Sequence, residues 1–112
     1  MIPVRLRLPR QRIDYLFKKG KKLSNDCFTI RFIPSFKTEK PVSRFCVIVS
    51  SALEPSAVKR NRLRRQIYEI IRLNRHIAPP GLDIIIIGKK TLTRLAYNLI
   101  SASLLTLLKR LA

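Results

Sequence analysis

The sequence predicts an α+β fold in which a mixed sheet carries helices on its faces. Three observations predict it. An alternating segment (residues 27–33) and two continuously apolar ones (45–49 and 84–87) read as strands, three stretches carry apolar residues at helical spacing, and the last two apolar segments flank the longest of those stretches. Strand, helix, strand in succession is a βαβ unit, whose strands run parallel, while the first two strands, joined by a loose loop, are expected to form an antiparallel hairpin. With 112 residues, 46% of them hydrophobic, and neither an internal repeat nor a low-complexity linker, residues 1–112 are expected to form one domain.

Each element has a local reason. Pro9 precedes residues 10–19, where Ile13, Leu16 and Phe17 share a helical face and Gly20 stands at the expected C-terminal cap. Residues 27–33 place Phe28, Ile30 and Phe32 on one side of a strand and Thr29 and Arg31 on the other, until Pro34 ends it. Residues 35–43 are polar and contain Pro41, and the apolar run 45–49 then suits a strand covered on both faces. Glu54, Pro55 and Ser56 open the long helix, with Ser56 and Asn61 both able to cap it, and Ala78, Pro79, Pro80 and Gly81 follow its end. Residues 84–87 are a third, fully buried strand before Gly88, and a last helix over residues 93–109 carries Leu95, Leu99, Ile100, Leu104, Leu107, Leu108 and, beyond it, Leu111.

The charge is concentrated. There are 24 Lys and Arg against six Asp and Glu, a formal charge of +18, with seven cations between Lys59 and Arg75 and eight in the first 22 residues. Such a surface repels itself, and a polyanion relieves the repulsion, nucleic acid above all. In the long helix Leu63, Ile67, Ile70 and Ile71 form an apolar stripe, while Arg60, Arg64, Arg65, Arg72 and Arg75 form a second one with Asn61 and Tyr68 among them. A merely solvated face would intersperse Glu at i,i+4, and here Glu69 is the one acid. Arg predominates over Lys, which fits bidentate grip on phosphate and stacking on bases.

Several classes are excluded. The longest strictly apolar runs, residues 45–49 and 84–87, are far short of a membrane span, and Arg5, Arg7, Arg10 and Arg12 lead into no apolar stretch of secretory type. Neither membrane nor small-molecule substrate is expected. Cys27 and Cys46 lie apart in apolar segments and are expected as buried free thiols, which favours a cytoplasmic setting. Asp14, Asp26, Glu39, Glu54, Glu69 and Asp83 are scattered, so no carboxylate cluster for metal-ion catalysis is expected. His76 at a helix end, and Ser50 and Ser51 without a neighbouring base, are not expected to be catalytic. Neither catalytic nor metal-binding residues are assigned, and any chemistry belongs to a partner.

The segment Ala57-Val58-Lys59-Arg60-Asn61-Arg62-Leu63-Arg64-Arg65-Gln66-Ile67-Tyr68-Glu69 resembles the R-N-R signature helix of the bacterial ribonuclease P protein family. Leu16-Phe17-Lys18-Lys19-Gly20-Lys21, Val47-Ile48-Val49-Ser50 and Leu82-Asp83-Ile84-Ile85-Ile86-Ile87 reinforce the resemblance in order and spacing. The resemblance implies an αβββαβα two-layer sandwich of ribosomal-protein-like type, with a left-handed βαβ crossover containing the R-N-R helix. It implies a subunit that binds the catalytic ribonuclease P RNA and the 5′ leader of precursor tRNA and assists magnesium-dependent removal of that leader, with the chemistry and most of the magnesium on the RNA side. By resemblance Lys59, Arg60, Asn61, Arg62, Arg64, Arg65 and Arg72 face the catalytic RNA. Ile13, Phe17, Thr29, Arg31 and Tyr68 line a cleft for the single-stranded leader, where aromatic stacking holds bases without demanding a sequence.

Some positions depart from the family pattern. Val49-Ser50-Ser51-Ala52-Leu53-Glu54-Pro55 stands where the family has Val-Ser-Lys-Lys and a glycine, which removes basic charge from the cleft. Tyr68 replaces a common arginine and Arg31 a common aromatic, an exchange of charge and stacking group across the cleft. The alternatives are a structural ribosomal RNA-binding protein of similar fold and a basic helix for DNA or a membrane surface.

Overall fold

Leu16 is fully buried, and its carbonyl accepts the N–H of Gly20 at 2.8 Å, closing the first helix, α1 (Arg10–Lys19), where the sequence places its end. Gly20 is required by closeness rather than by a positive φ, since a Cβ there would lie 2.6 Å from the Leu16 carbonyl oxygen. The structure is a computed structural model that describes residues 10–34, 43–74, 76–77 and 81–111. Arg5, Arg7, Glu39, Pro41, Arg75 and residues 78–80 of the sequence reading lie outside the described residues.

After α1 come β1 (Lys21–Ser24), β2 (Phe28–Pro34), β3 (Arg44–Ile48), α2 (Ala57–Asn74), β4 (Leu82–Gly88), a 3-10 turn (Lys90–Arg94) and α3 (Tyr97–Arg110). The order is αβββαβα. The strands form one sheet in the order β1-β2-β4-β3, with β3 and β4 parallel and the other pairs antiparallel. This corrects two expectations. The hairpin is β1 with β2, not β2 with β3, because the strand apolar on both faces, β4, takes the centre between them; Ile84, Ile85 and Ile86 are fully buried there. The strand that sequence patterning misses, β1, has only Leu23 packed against the core and owes its conformation to pairing with β2.

Period-two alternation sorts the sheet into two faces. Phe28, Ile30, Phe45, Val47, Ile84 and Ile86 meet Ile67, Ile70 and Ile71 of α2 and Ile100, Leu104, Leu107 and Leu108 of α3 in the main core. Phe28 and Phe32 belong to this side, as their spacing opposite Arg31 predicts. On the other face, Leu16 of α1 packs on Ile85, with Ile13, Ile33, Cys46, Ile48 and Ile87 partly buried around them. The expectation that both faces of β3 are covered therefore holds only for the α2 side, and burial along β3 alternates.

The last helix starts later than its apolar spacing predicts. Leu92 turns fully into the core from the 3-10 turn, its Cδ2 so close to Gly88 that a Cβ there would lie 2.8 Å away. The chain then becomes extended at Leu95 and Ala96 before α3 begins. Leu99 is half exposed rather than core, pointing away from the Ile100, Leu104 and Leu108 stripe.

Candidate nucleic-acid interface

The start of α2 is set by Ser56, whose Oγ accepts the N–H of Lys59 at 3.3 Å, so Ser56 rather than Asn61 is the cap. Glu54 supports it by accepting the Ser56 N–H at 3.2 Å. From there the first turns carry Lys59, Arg60 and Arg62 with no acid in the first turn. Cations at a helix N-terminus oppose the helix dipole, so this arrangement costs stability and makes a favourable place for an anion.

The arginines divide into two groups. Arg60 turns back onto its own loop, its Nη1 donating to the carbonyls of Glu54 at 2.9 Å and Pro55 at 2.8 Å, so it lies nearer the apolar stripe than its expected place in the basic one. Arg72 pairs with Glu69, Nε to Oε2 at 3.0 Å; that pair holds the Glu69 carboxyl below the usual carboxylate range and raises Arg72. Lys59, Asn61, Arg62 and Arg65 are exposed, and Arg64, half-buried, donates to the Asn61 side chain. Asn61, Arg64, Arg65 and Tyr68 line a shallow depression of about 260 Å³. Tyr68 forms its inner end, since its ring packs on the core and its hydroxyl accepts the Val47 N–H at 3.1 Å on the outer edge of β3.

The second group of expected site residues gathers on the α1 face of the sheet. Phe17 is 42% exposed, which places it outside the core. The guanidinium of Arg31 sits 5.7 Å from the Phe17 ring centroid and donates to the Phe17 carbonyl at 3.1 Å. Thr29 is one alternation further along β2, half-buried, its hydroxyl 3.3 Å from that of Ser24. Ile13 packs partly against Leu16 and Ile85. Arg31 and Phe17 are thus one unit, whereas Tyr68 stands at the far edge of the sheet, beyond β3.

What lies between them is legible only from the register. Thr29 pairs with Ile87 and Ile87 with Ile48, and Arg31 pairs with Ile85 and Ile85 with Cys46. These rows run across the α1 face of the sheet from the Phe17–Arg31 pair to the β3 edge, and Ile87, Ile48 and Cys46 are only partly buried. Sequence reasoning does not find this apolar floor, because its residues come from three strands whose pairing no local pattern shows. Burial pushes the Cys46 thiol up, and Cys46 is half-buried rather than buried as expected, while Cys27 is buried; both are free.

Two further expectations change. Arg12, counted among the surface cations, is 7% exposed: its Nε donates to Asp83 Oδ2 at 2.9 Å, and its guanidinium lies 4.9 Å from the Tyr15 ring centroid. Asp83, one of the scattered acids, is fully buried and also receives Nε and Nη2 of Arg44, each at 2.9 Å. Both carboxylate oxygens therefore face arginines, which does not suit a metal ligand. Among the described residues no group of three His, Cys, Asp or Glu comes together in a way that could hold a metal ion. His76 is exposed in a turn after α2. No helix among the described residues is long and apolar enough to cross a membrane.

A cationic helix packed on one face of a four-stranded sheet, with an arginine–aromatic pair and a partly buried apolar floor on the opposite face, places the chain in the class of small basic α+β proteins with a charge pattern suited to nucleic acid. The family model described as Ribonuclease P matches residues 3–112. A ribonuclease P protein component of Thermotoga maritima is 36% identical over 111 residues, covering 96% of this chain and 91% of the relative. The solved ribonuclease P protein from that organism superposes with a TM-score of 0.84 at 33% identity, covering 95% of this chain and 97% of the other. That of Staphylococcus aureus gives 0.81 at 25% identity, with 94% of each chain covered. The chain belongs to the ribonuclease P protein family, the protein subunits of bacterial ribonuclease P that act in 5′ processing of tRNA. A purely structural ribosomal role is not favoured by these matches.

Proposed function

We propose that α2 docks on the catalytic RNA of ribonuclease P while the α1 face of the sheet, from α1 out to the β3 edge, holds the single-stranded 5′ leader of precursor tRNA. The observation that carries this is the Phe17–Arg31 pair at the head of a partly uncovered apolar floor. A base stacks on Phe17, the guanidinium beside it meets the adjoining phosphate, and Thr29, Ile87 and Ile48 accept sugar and base edges without choosing a sequence. Ile13 and Tyr68 border this cleft at α1 and at the β3 edge.

On α2, Lys59, Asn61, Arg62, Arg64 and Arg65 offer donors to the phosphates of the RNA, and Arg60 and Arg72 add the N–H groups that their internal partners leave over. Phosphodiester hydrolysis is then carried by the RNA, and magnesium is held by the RNA and the substrate. The protein's part is to concentrate cationic charge beside two polyanions and to anchor the leader, which lowers the magnesium that the RNA needs.

The test is 5′ cleavage of precursor tRNA by a bacterial ribonuclease P RNA at limiting magnesium, with and without this chain. Stimulation is expected; none at any protein concentration refutes the reading. If α2 neutralises about six phosphates, log K for the RNA falls against log salt with a slope of roughly −4 to −5.

A further inference from the structure

Helix α1 is lightly seated. The apolar cluster beneath it has only two fully buried members, Leu16 and Ile85, with partly buried side chains around them. Yet α1 carries Ile13 and Phe17, whose placement over the sheet decides the shape of the proposed leader cleft. Two polar clamps hold it at its ends. At the C-terminal end, Arg31 of β2 donates to the Phe17 carbonyl at 3.1 Å. At the N-terminal end, Arg12 reaches down to Asp83 of β4 at 2.9 Å and to the Pro34 carbonyl of β2 at 3.4 Å.

We infer that Arg12 and Asp83 are positioning residues for leader recognition: their buried ion pair fixes the roll and tilt of α1, and thereby the place of Phe17 over the sheet. Arg12 is 7% exposed and Asp83 fully buried, so neither is placed to touch RNA. The pair acts through α1. Helix neighbours four apart share a face, so Arg12 and Leu16 anchor the side of α1 that grips the sheet, and Phe17 follows from that anchoring. Arg44 is a second cation on the same carboxylate, its two bonds to Asp83 tying β3 to β4. That leaves Asp83 paired when Arg12 is replaced, so the α1 clamp can be released without a bare buried charge.

This inference rests on the leader reading above, and the two fail differently. The experiment uses holoenzyme assembled from the RNA subunit and the full chain, with two precursor tRNAs, one with a long leader and one with a single-nucleotide leader. The affinity ratio between them isolates the leader. Wild type without a ratio above one sinks the leader reading itself. Given a ratio in wild type, Arg12→Met is expected to lower it about five- to tenfold, the scale of one stacked base lost. Affinity of the same variant for the RNA subunit stays within about twofold, because Asp83 and Pro34, to which Arg12 bonds, lie outside α2.

Two companions separate positioning from stability. Arg44→Met removes the β3 link to the same carboxylate; it lowers the melting temperature but leaves the leader ratio at the wild-type value. Arg12→Lys keeps the charge and one bond to Asp83, remains folded, and restores part of the ratio. An unchanged ratio in Arg12→Met overturns the inference. So does an equal loss in Arg44→Met, which would make the effect one of fold stability. Should Arg12→Met not fold, Arg12→Lys decides alone, because a wild-type ratio with its weakened clamp overturns the inference and a reduced one supports it.

Discussion

The hydroxyl of Tyr68 accepts the backbone N–H of Val47 at 3.1 Å, so one side chain of α2 closes a bond on the outer edge of β3. An edge strand otherwise presents such groups to any passing strand. Tyr68→Phe keeps the ring and removes the acceptor, and it is expected to destabilise the fold by about 1 kcal/mol. In a domain of this size that lowers the melting temperature by roughly 4–8 °C. Leader affinity should survive Tyr68→Phe and fall in Tyr68→Ala. Equal leader affinity in the two variants would remove Tyr68 from the cleft.

Arg62 and Arg65 are exposed, whereas Arg60 is bonded to the carbonyls of Glu54 and Pro55. Arg62→Ala and Arg65→Ala should each flatten the salt dependence of RNA binding by about 0.7 to 0.9 and leave the melting temperature unchanged. Arg60→Ala should weaken RNA binding and also cost about 1 kcal/mol of stability. Salt titrations paired with thermal melts check both, and a stable Arg60→Ala would contradict the role given to its carbonyl bonds.

A methyl group at Gly20 meets the Leu16 carbonyl oxygen at 2.6 Å, and one at Gly88 meets the end of the Leu92 side chain at 2.8 Å. Backbone yields less readily than a side-chain tip. Gly20→Ala is therefore expected to cost about 1–3 kcal/mol, and Gly88→Ala less. Urea unfolding ranks them, and the reverse order would contradict this account of the end of α1.

Desolvation raises the Cys46 pKa, which keeps its thiol protonated over a wider pH range than a free cysteine. Alkylation proceeds through the thiolate, so modification of Cys46 should be slow at neutral pH and accelerate only above the ordinary thiol range. Cys27, more deeply buried, should react more slowly still. Bound leader should protect Cys46, since Cys46 borders the apolar floor. Mass spectrometry of the alkylated chain follows all three, and fast labelling of Cys46 at neutral pH would refute the desolvation argument.

The helices and three of the strands are visible in the sequence because local causes produce them. Ile13 and Leu16 of α1, the alternation of β2 and the isoleucine run of β4 each mark in the local sequence what the fold buries. The β1 strand is invisible because three of its four residues are polar and only pairing makes it a strand. The basic helix is legible for the same reason that its individual arginines are not. Composition reveals a cationic surface, but whether Arg60 or Arg12 reaches solvent depends on carbonyls and a carboxylate that the fold brings near. Asp83 shows in sequence only as one acid ahead of four isoleucines, and its two arginine partners lie 71 and 39 residues away.

Because β4 occupies the middle of the sheet, β2 and β3 share a partner that the ribosome delivers after both of them. While α2 is being synthesised, the two nascent strands have no neighbour in common, and their apolar faces are available to other chains. Until β4 pairs with both strands, the cations of α2 set copies of the unfolded chain against one another by repulsion. The cationic charge of α2 thus acts before the sheet closes as well as after it.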